Sequence, residues 1–393
     1  APRFLAAHGH LARQKPPGRV VVCWQSTLEN LGMKLFGDAY RGKRVVVTGH
    51  TGFKGSWLSL WLKQLGADVV GISLSPETQP NHWNLLGLES TVQHHELDIR
   101  QASEVASVFK ATQPEMIFHL AAQPLVRRSY RDPLETWSTN VMGTANVLEA
   151  CRQTRSVRAI LAVTTDKCYE NQEWAWGYRE TDRLGGHDPY SASKAGSELV
   201  VASYRNAFFH TSDSPLLATA RAGNVIGGGD WSEDRLVPDL VRAIAARQSL
   251  EIRSPNATRP WQHVLESLSG YLLLGQKLIE GDQNFDCAWN FGPERSGNRT
   301  VADVLSRLQI HWPEMQWHQT VVPQPHEANL LYLDSAKAHG QLCWKSVWNL
   351  DTTLEKTADW YRAFQSSQTT ISTQQLAQYV EAAQEAQVGW VSA

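Results

Sequence analysis

Val45-Val46-Val47-Thr48-Gly49-His50-Thr51-Gly52-Phe53-Lys54-Gly55 joins a short apolar run to three glycines spaced three apart. The run has the length of a buried strand. Apolar residues at helical spacing follow the glycines, at Trp57, Leu58, Trp61, Leu62 and Leu65. Gly66 ends that helix, and Asp68-Val69-Val70-Gly71-Ile72-Ser73 reads as the next strand. The result is a βαβ unit with parallel pairing. Within it, Gly49 allows a tight turn, Gly52 lets backbone approach a phosphate, and Gly55 allows close packing of helix on strand. Together with Thr51 and Phe53 these residues form a cradle at a helix start, where backbone N–H groups suit a dinucleotide pyrophosphate.

Working outward, further apolar strands read at residues 116–120 and 160–164, with helices near 103–110, 133–152 and 191–208. Alternation of this kind specifies an α/β fold, a doubly wound parallel sheet of the Rossmann type. After Arg221 the pattern loosens into turns, short helices and isolated strands, read as a smaller C-terminal substrate-binding domain. The expected division is an extension over 1–40, a dinucleotide-binding domain over 41–220, a mainly substrate domain over 221–370 and a polar tail over 371–393, either helical or frayed. Residues 1–32, with Pro16-Pro17-Gly18 and no long apolar core, do not read as a secretory signal. Met33 is the expected natural start.

The chain has 393 residues, 42% hydrophobic and 19% charged, with a formal net charge of -2, so a sizeable soluble core is expected. Without a basic or acidic run, electrostatics favours neither nucleic acid nor a membrane surface. No apolar stretch approaches the roughly 20 residues of a membrane span. The five cysteines (Cys23, Cys151, Cys168, Cys287, Cys343) form no C-x-x-C pair, which suits a reducing cytoplasm. Cys168 is expected to be a buried filler. Of the sixteen tryptophans, Trp57 and Trp61 share a helix face and read as core, whereas Trp231 and Trp261 lie in turn-rich segments suited to a ligand pocket.

Far downstream stands Tyr190-Ser191-Ala192-Ser193-Lys194. A tyrosine and a lysine four apart project from one helix face. A nearby ammonium favours the phenolate and brings the tyrosine closer to use as a base near neutrality. With the glycine turn upstream, the pair points to nicotinamide redox chemistry. Thr164-Thr165-Asp166-Lys167-Cys168-Tyr169 directly follows a strand, at the end where parallel sheets bind ligands. Its hydroxyl, carboxyl and amine are proton carriers in waiting, or else a solvated loop with an ion pair.

Around the cradle, Ile72-Ser73-Leu74-Ser75 carries neither the acid that binds a ribose nor an arginine for a 2′-phosphate, so NAD and NADP stay undivided there. Asp98-Ile99-Arg100 either meets the adenine edge or is a surface turn. Leu120-Ala121-Ala122 is small enough to let a dinucleotide pass close to backbone. Asn140 either places a water or a helix distortion near the lysine, or is a satisfied buried amide. Downstream, Arg221, Asn224, Arg235, Arg253, Arg259 and His263 are candidates for a substrate diphosphate, which arginine's planar fork suits. No zinc spacing, Ser-His-Asp order or P-loop is present, so no metal is expected.

Taken together, the strings at 47–57, 165–169 and 190–194, with Arg221-Ala222-Gly223-Asn224-Val225-Ile226-Gly227-Gly228-Gly229-Asp230-Trp231 and Arg259-Pro260-Trp261-Gln262-His263, resemble the extended short-chain dehydrogenase/reductases. Within them the resemblance is to the nucleotide-sugar 4,6-dehydratases, and most closely to the group acting on CDP-glucose. It runs in order over roughly residues 41–365. It implies that Tyr190, helped by Lys194 and Thr165, takes the 4-hydroxyl proton while NAD⁺ accepts hydride from C4. It further implies that Asp166 protonates the departing 6-hydroxyl and that hydride returns to C6, giving CDP-4-keto-6-deoxy-D-glucose for deoxysugar and lipopolysaccharide synthesis. Lys167 stands where most such dehydratases carry a glutamate, the C5 base. A lysine serves there only if deprotonated, which burial near another cation would achieve. A homodimer or homotetramer through the segments 133–152 and 191–208 is also implied. The alternatives are a nucleotide-sugar 4-epimerase, which needs no acid for a leaving hydroxyl, a UDP-glucuronate decarboxylase, and a non-catalytic dinucleotide sensor.

Overall fold

The computed structural model describes residues 34–322 and 329–392. The expected extension before residue 34, with its start at Met33, lies outside the described residues. Seven parallel strands form the central sheet: β1 (Arg44–Thr48), β2 (Asp68–Ser73), β3 (Gln93–Glu96), β4 (Met116–His119), β5 (Ala159–Val163), β6 (Leu216–Ala222) and β7 (Ala288–Phe291). Their order is β3-β2-β1-β4-β5-β6-β7, with every neighbouring pair parallel. The doubly wound reading of the sequence is therefore the observed fold. The order reverses between β1 and β4, which opens a crevice at the carboxyl ends of those strands.

Both faces of the central strands are covered, so β1, β4 and β5 are continuous apolar runs rather than alternating, while the edge strand β3 (Gln93–Glu96) is polar. Strand periodicity then deals successive residues to opposite layers. Val45, Val47 and Phe118 join one core with Trp57 and Trp61 of α1 (Phe53–Gln64), while Val46 and Ile117 join another with Phe109 and Val147. Burial of each such side chain contributes about 1.5–3 kcal/mol. Trp57 and Trp61 are fully buried, as their shared helix face implies. Gly66 closes the helix at φ +78, a conformation that favours glycine. The second layer is built by α2 (Ala102–Thr112), α3 (Gly143–Gln153) and α4 (Pro189–Ala207).

The two halves interleave instead of parting at residue 220. Strand β7 completes the main sheet from deep in the second half. The four longest helices in that half are α5 (Leu236–Ala245), α6 (Val264–Ile279), α7 (Leu350–Ser367) and α8 (Ser372–Glu385). Leu265 and Leu268 of α6 enter the sheet's own core. Apart from the sheet, that half also holds a short helix, Val301–Leu308, and three two-stranded pairs. The C-terminal segment is a packed helix, burying Leu376, Tyr379 and Val380. Residues Lys34–Leu35 pair with Val391–Ser392.

Glu266 on α6 ties the C-terminal segments in. Its carboxyl accepts from the backbone of Val347 and Trp348 (2.7 Å) and from the Tyr379 hydroxyl (2.9 Å). Burial pushes this group up to about 7, against the pull of those donors. The folded protein thus holds the proton more tightly than the unfolded chain, whose glutamate titrates near ~4.3. The stability this contributes is complete below the unfolded value and is lost as pH rises through 7. We expect the melting temperature of the native protein, relative to Glu266→Gln, to fall between pH 5 and 8. A difference independent of pH would show that Glu266 does not titrate there.

Candidate active site

The glycine cradle closes as its spacing implies. Gly49 has φ +76, and a Cβ there would lie 2.8 Å from the Ala121 nitrogen, so only glycine lets the turn lie against the loop after β4. A Cβ on Gly55 would sit 2.1 Å from the Gly49 oxygen. Gly52 is exposed, and a Cβ there would meet only the Gly49 oxygen, at 3.3 Å. It starts α1 without a side-chain cap, which leaves first-turn N–H groups to a ligand. Thr51 instead holds the turn, bonding Ser73 Oγ (2.7 Å) and the Leu74 carbonyl (2.9 Å).

From this cradle a cleft of about 1240 Å³ runs between the sheet and the second half. Gly49, Gly52, Phe53, Gly55, Asp98, Ile99, Leu120, Ala121 and Ala122 line one end. Thr165, Asp166, Lys167, Tyr190 and Lys194 stand in its wall. Asn224, Arg235, Arg253 and Arg259 line the other end, with Trp231 and Trp261. Asp98 accepts from the side chain (2.8 Å) and backbone (2.9 Å) of Arg100, which holds its carboxyl below the usual range. Arg235 is paired with Asp230 at 2.9 Å, and Arg253 lies 3.8 Å from Asp234.

Three expected ligands do not reach the cleft. Arg221 is 3% exposed and turned inward, its guanidinium bonded to Glu198 at 2.7 and 2.9 Å and to Tyr169 at 2.7 Å. His263 is fully buried between Trp57 and Trp348, its Nδ1 accepting from the Leu265 backbone. Asn140 bonds the backbone of Gln123 on both sides, at 2.8 and 3.1 Å, and donates to Ser193. It sits in a π-helical turn, Ser138–Met142, whose Asn140 carbonyl accepts from Thr144 and Ser197. Both sequence readings of Asn140 therefore meet: a satisfied amide within a distorted helix.

At the reaction wall, Thr165 caps the short helix Asp166–Cys168, accepting from the Lys167 backbone and donating to Asp166 Oδ1 at 3.0 Å. Asp166 is 1% exposed, and its Oδ2 has no hydrogen-bond partner. An orphaned buried carboxylate oxygen is costly in an unliganded fold. Lys194 donates to the Val163 carbonyl at 3.2 Å. Burial lowers its ammonium to about 8, against the field of Glu198. Burial likewise pushes the Tyr190 phenol up to about 12, the neighbouring Thr165 hydroxyl offsetting it in part and the Asp166 charge adding to it. Desolvation thus outweighs the pull of the Arg235 charge, so the phenol stays above its usual value. Cys168 is fully buried, as a filler would be.

Lys54 is the residue that sequence reasoning passed over. It sits in the cleft with its Nζ 3.3 Å from the Tyr271 hydroxyl, and burial with neighbouring Arg235 lowers it to about 7. The signal was a cation in the first turn of a helix, where the macrodipole disfavours one.

Among the described residues, no helix is long and apolar enough to cross a membrane. Residues 46–357 match the model of the GDP-mannose 4,6 dehydratase family. The chain is 46% identical over 330 residues to the CDP-glucose 4,6-dehydratase of Salmonella typhimurium, covering 83% of this chain and 92% of the relative. It is 27% identical to the dTDP-glucose 4,6-dehydratase of Xanthomonas campestris, over 80% of this chain and 92% of that one. Among solved structures, UDP-glucose 4-epimerase of Thermotoga maritima superposes with a TM-score of 0.72 at 22% identity, covering 82% of this chain and 99% of that one. The dTDP-glucose 4,6-dehydratase of Streptomyces venezuelae gives 0.70 at 23%, covering 82% and 98%. These last two speak to the fold alone. With residues 46–357, most of this chain, matching the family's model and a glycine cradle in one cleft with Tyr190, Lys194 and Asp166, the chain belongs to the GDP-mannose 4,6 dehydratase family.

Proposed function

We propose that the protein is a CDP-D-glucose 4,6-dehydratase using NAD as a bound catalyst and giving CDP-4-keto-6-deoxy-D-glucose. The observation that carries this is the meeting of Tyr190 with the buried, half-satisfied Asp166 in the cleft that begins at the glycine cradle. The 46% identical relative supports the choice of nucleotide and sugar. A 4-epimerase would share Tyr190, Lys194 and the cradle but has no use for an acid at Asp166.

The uncapped start of α1, the open face of Gly52 and the small Ala121 and Ala122 suit a dinucleotide. When bound, oxidised NAD supplies an acceptor for hydride from C4, a donor for its return to C6, and a positive charge of the sign that lowers a phenol. Tyr190 takes the proton of the 4-hydroxyl. The ketone formed at C4 acidifies the C5 hydrogen, Lys167 removes it, and Asp166 protonates the 6-hydroxyl, which departs as water. Arg235, Arg253 and Arg259 offer cationic groups to the diphosphate. The reading includes a reducing, cytoplasmic setting and a role in deoxysugar supply. It also includes a homo-oligomer, for which Leu134, Trp137, Met142 and Leu199, exposed on the two segments expected to pair, give support.

The deciding experiment incubates the protein with CDP-, UDP- and dTDP-glucose and follows the alkali-induced ultraviolet absorbance of a 4-keto-6-deoxy sugar. Signal from CDP-glucose alone is expected. Preference for another nucleotide would overturn the CDP assignment, and silence with all three would favour the epimerase. In Asp166→Asn, oxidation at C4 should proceed and reduced nicotinamide should accumulate, while product formation falls by about 10²-fold. Product at the native rate would remove Asp166 as the acid.

A further inference from the structure

If the nucleotide-sugar reading holds, the end of the cleft that takes the diphosphate carries acids as well as arginines. Glu233 pairs with Arg131 at 2.9 Å, Asp230 with Arg235 at 2.9 Å, and Asp239 with Arg242. Each of these three carboxylates has one arginine partner among the described residues. Asp234 has two. Its Oδ1 accepts from Arg127 at 2.8 Å and lies 3.8 Å from an Arg253 nitrogen, which is too far for a hydrogen bond.

The two arginines come from different halves of the chain. Arg127 belongs to the short helix Val126–Arg131 and is 46% exposed, whereas Arg253 follows the strand Leu250–Ile252 and is 28% exposed. Arg127, Asp234 and Arg253 all line the cleft, as do Leu236 and Val237 at the start of α5. That helix has no side-chain cap, so its first-turn N–H groups add to the field that attracts an anion. A diphosphate brings negative charge to the same cations. The Asp234 carboxylate therefore acts in two ways: it steadies the Arg253 guanidinium before a ligand arrives, and it repels a phosphate that approaches. Arg127, its closer partner, is placed to keep Asp234 when Arg253 turns to the phosphate.

We propose that Asp234 is an internal stand-in for the substrate's diphosphate, neutralising Arg253 until a nucleotide sugar binds and then passing wholly to Arg127. It lowers affinity for every ligand that carries the diphosphate. The product carries it too, so Asp234 also shortens the time for which product is held.

The test titrates the NAD-loaded protein with CDP by calorimetry, at low and at high salt. Asp234 has φ +59, a backbone region that asparagine tolerates as well as aspartate, so Asp234→Asn removes the charge and keeps the turn. That variant should bind CDP about fivefold tighter at low salt, the gain fading as salt screens it. A damaged site loses affinity and does not gain it, so unchanged or weaker binding would overturn the proposal. Arg127→Gln leaves Asp234 to Arg253 alone. It should weaken CDP binding in the native background and have no effect once Asp234 is replaced by asparagine. Equal weakening in both backgrounds would make Arg127 a phosphate ligand in its own right and would also overturn the exchange. A native protein that binds none of CDP, UDP and dTDP would instead sink the nucleotide-sugar reading on which this rests.

Discussion

Tyr190→Phe is expected to lower turnover of CDP-glucose by about 10³-fold, the size of losing a positioned general base. The change deletes one oxygen from a ring that is 8% exposed and leaves its packing in place. Thermal stability and the amount of NAD carried should therefore match the native protein. Because burial holds the phenol up to about 12, the reactive phenolate is scarce near neutrality and its share grows as pH rises. The native rate should climb with pH through the neutral range, and the residual rate of the phenylalanine variant should not. Turnover near the native value in Tyr190→Phe would remove Tyr190 as the base.

Much of this site was legible before any geometry. The β1–turn–α1 unit carried its signals in adjacent residues, a strand-length apolar run, the spaced glycines and then apolar residues at helical spacing. The tasks assigned to Gly49 and Gly55 reappear as Cβ clashes with the chain itself. What stayed hidden was non-local. Strand β7 is four residues long and joins the sheet through β6, more than sixty residues upstream, so nothing in its own text announces it. Lys54 was visible as a residue but not as a problem, since its environment is made by Tyr271 and Arg235. His263 lies in a segment that reads as polar, yet aromatic rings from two distant segments enclose it.

Arg221 is the sharpest case, because its two readings predict different failures. As a substrate contact, its loss would weaken binding and leave the fold intact. The structure instead places it on β6, in a strand of seven buried residues, facing Glu198 of α4. A charge in a buried strand needs a partner, and this one has two parallel bonds to a carboxylate that also accepts from Thr164 and Thr219. Burial pushes Glu198 up, but Arg221 and these donors win and hold it below its usual range. Arg221→Leu strands that carboxylate in the interior. We expect a loss of about 3–5 kcal/mol in unfolding free energy, measured by urea titration. Replacing both partners with leucine should recover much of it, because no uncompensated charge then remains. The same carboxylate anchors Thr164, next to Thr165, so any folded Arg221→Leu protein should lose turnover more than affinity for CDP-glucose. A variant that keeps full stability and shows only a raised KM would return Arg221 to the substrate.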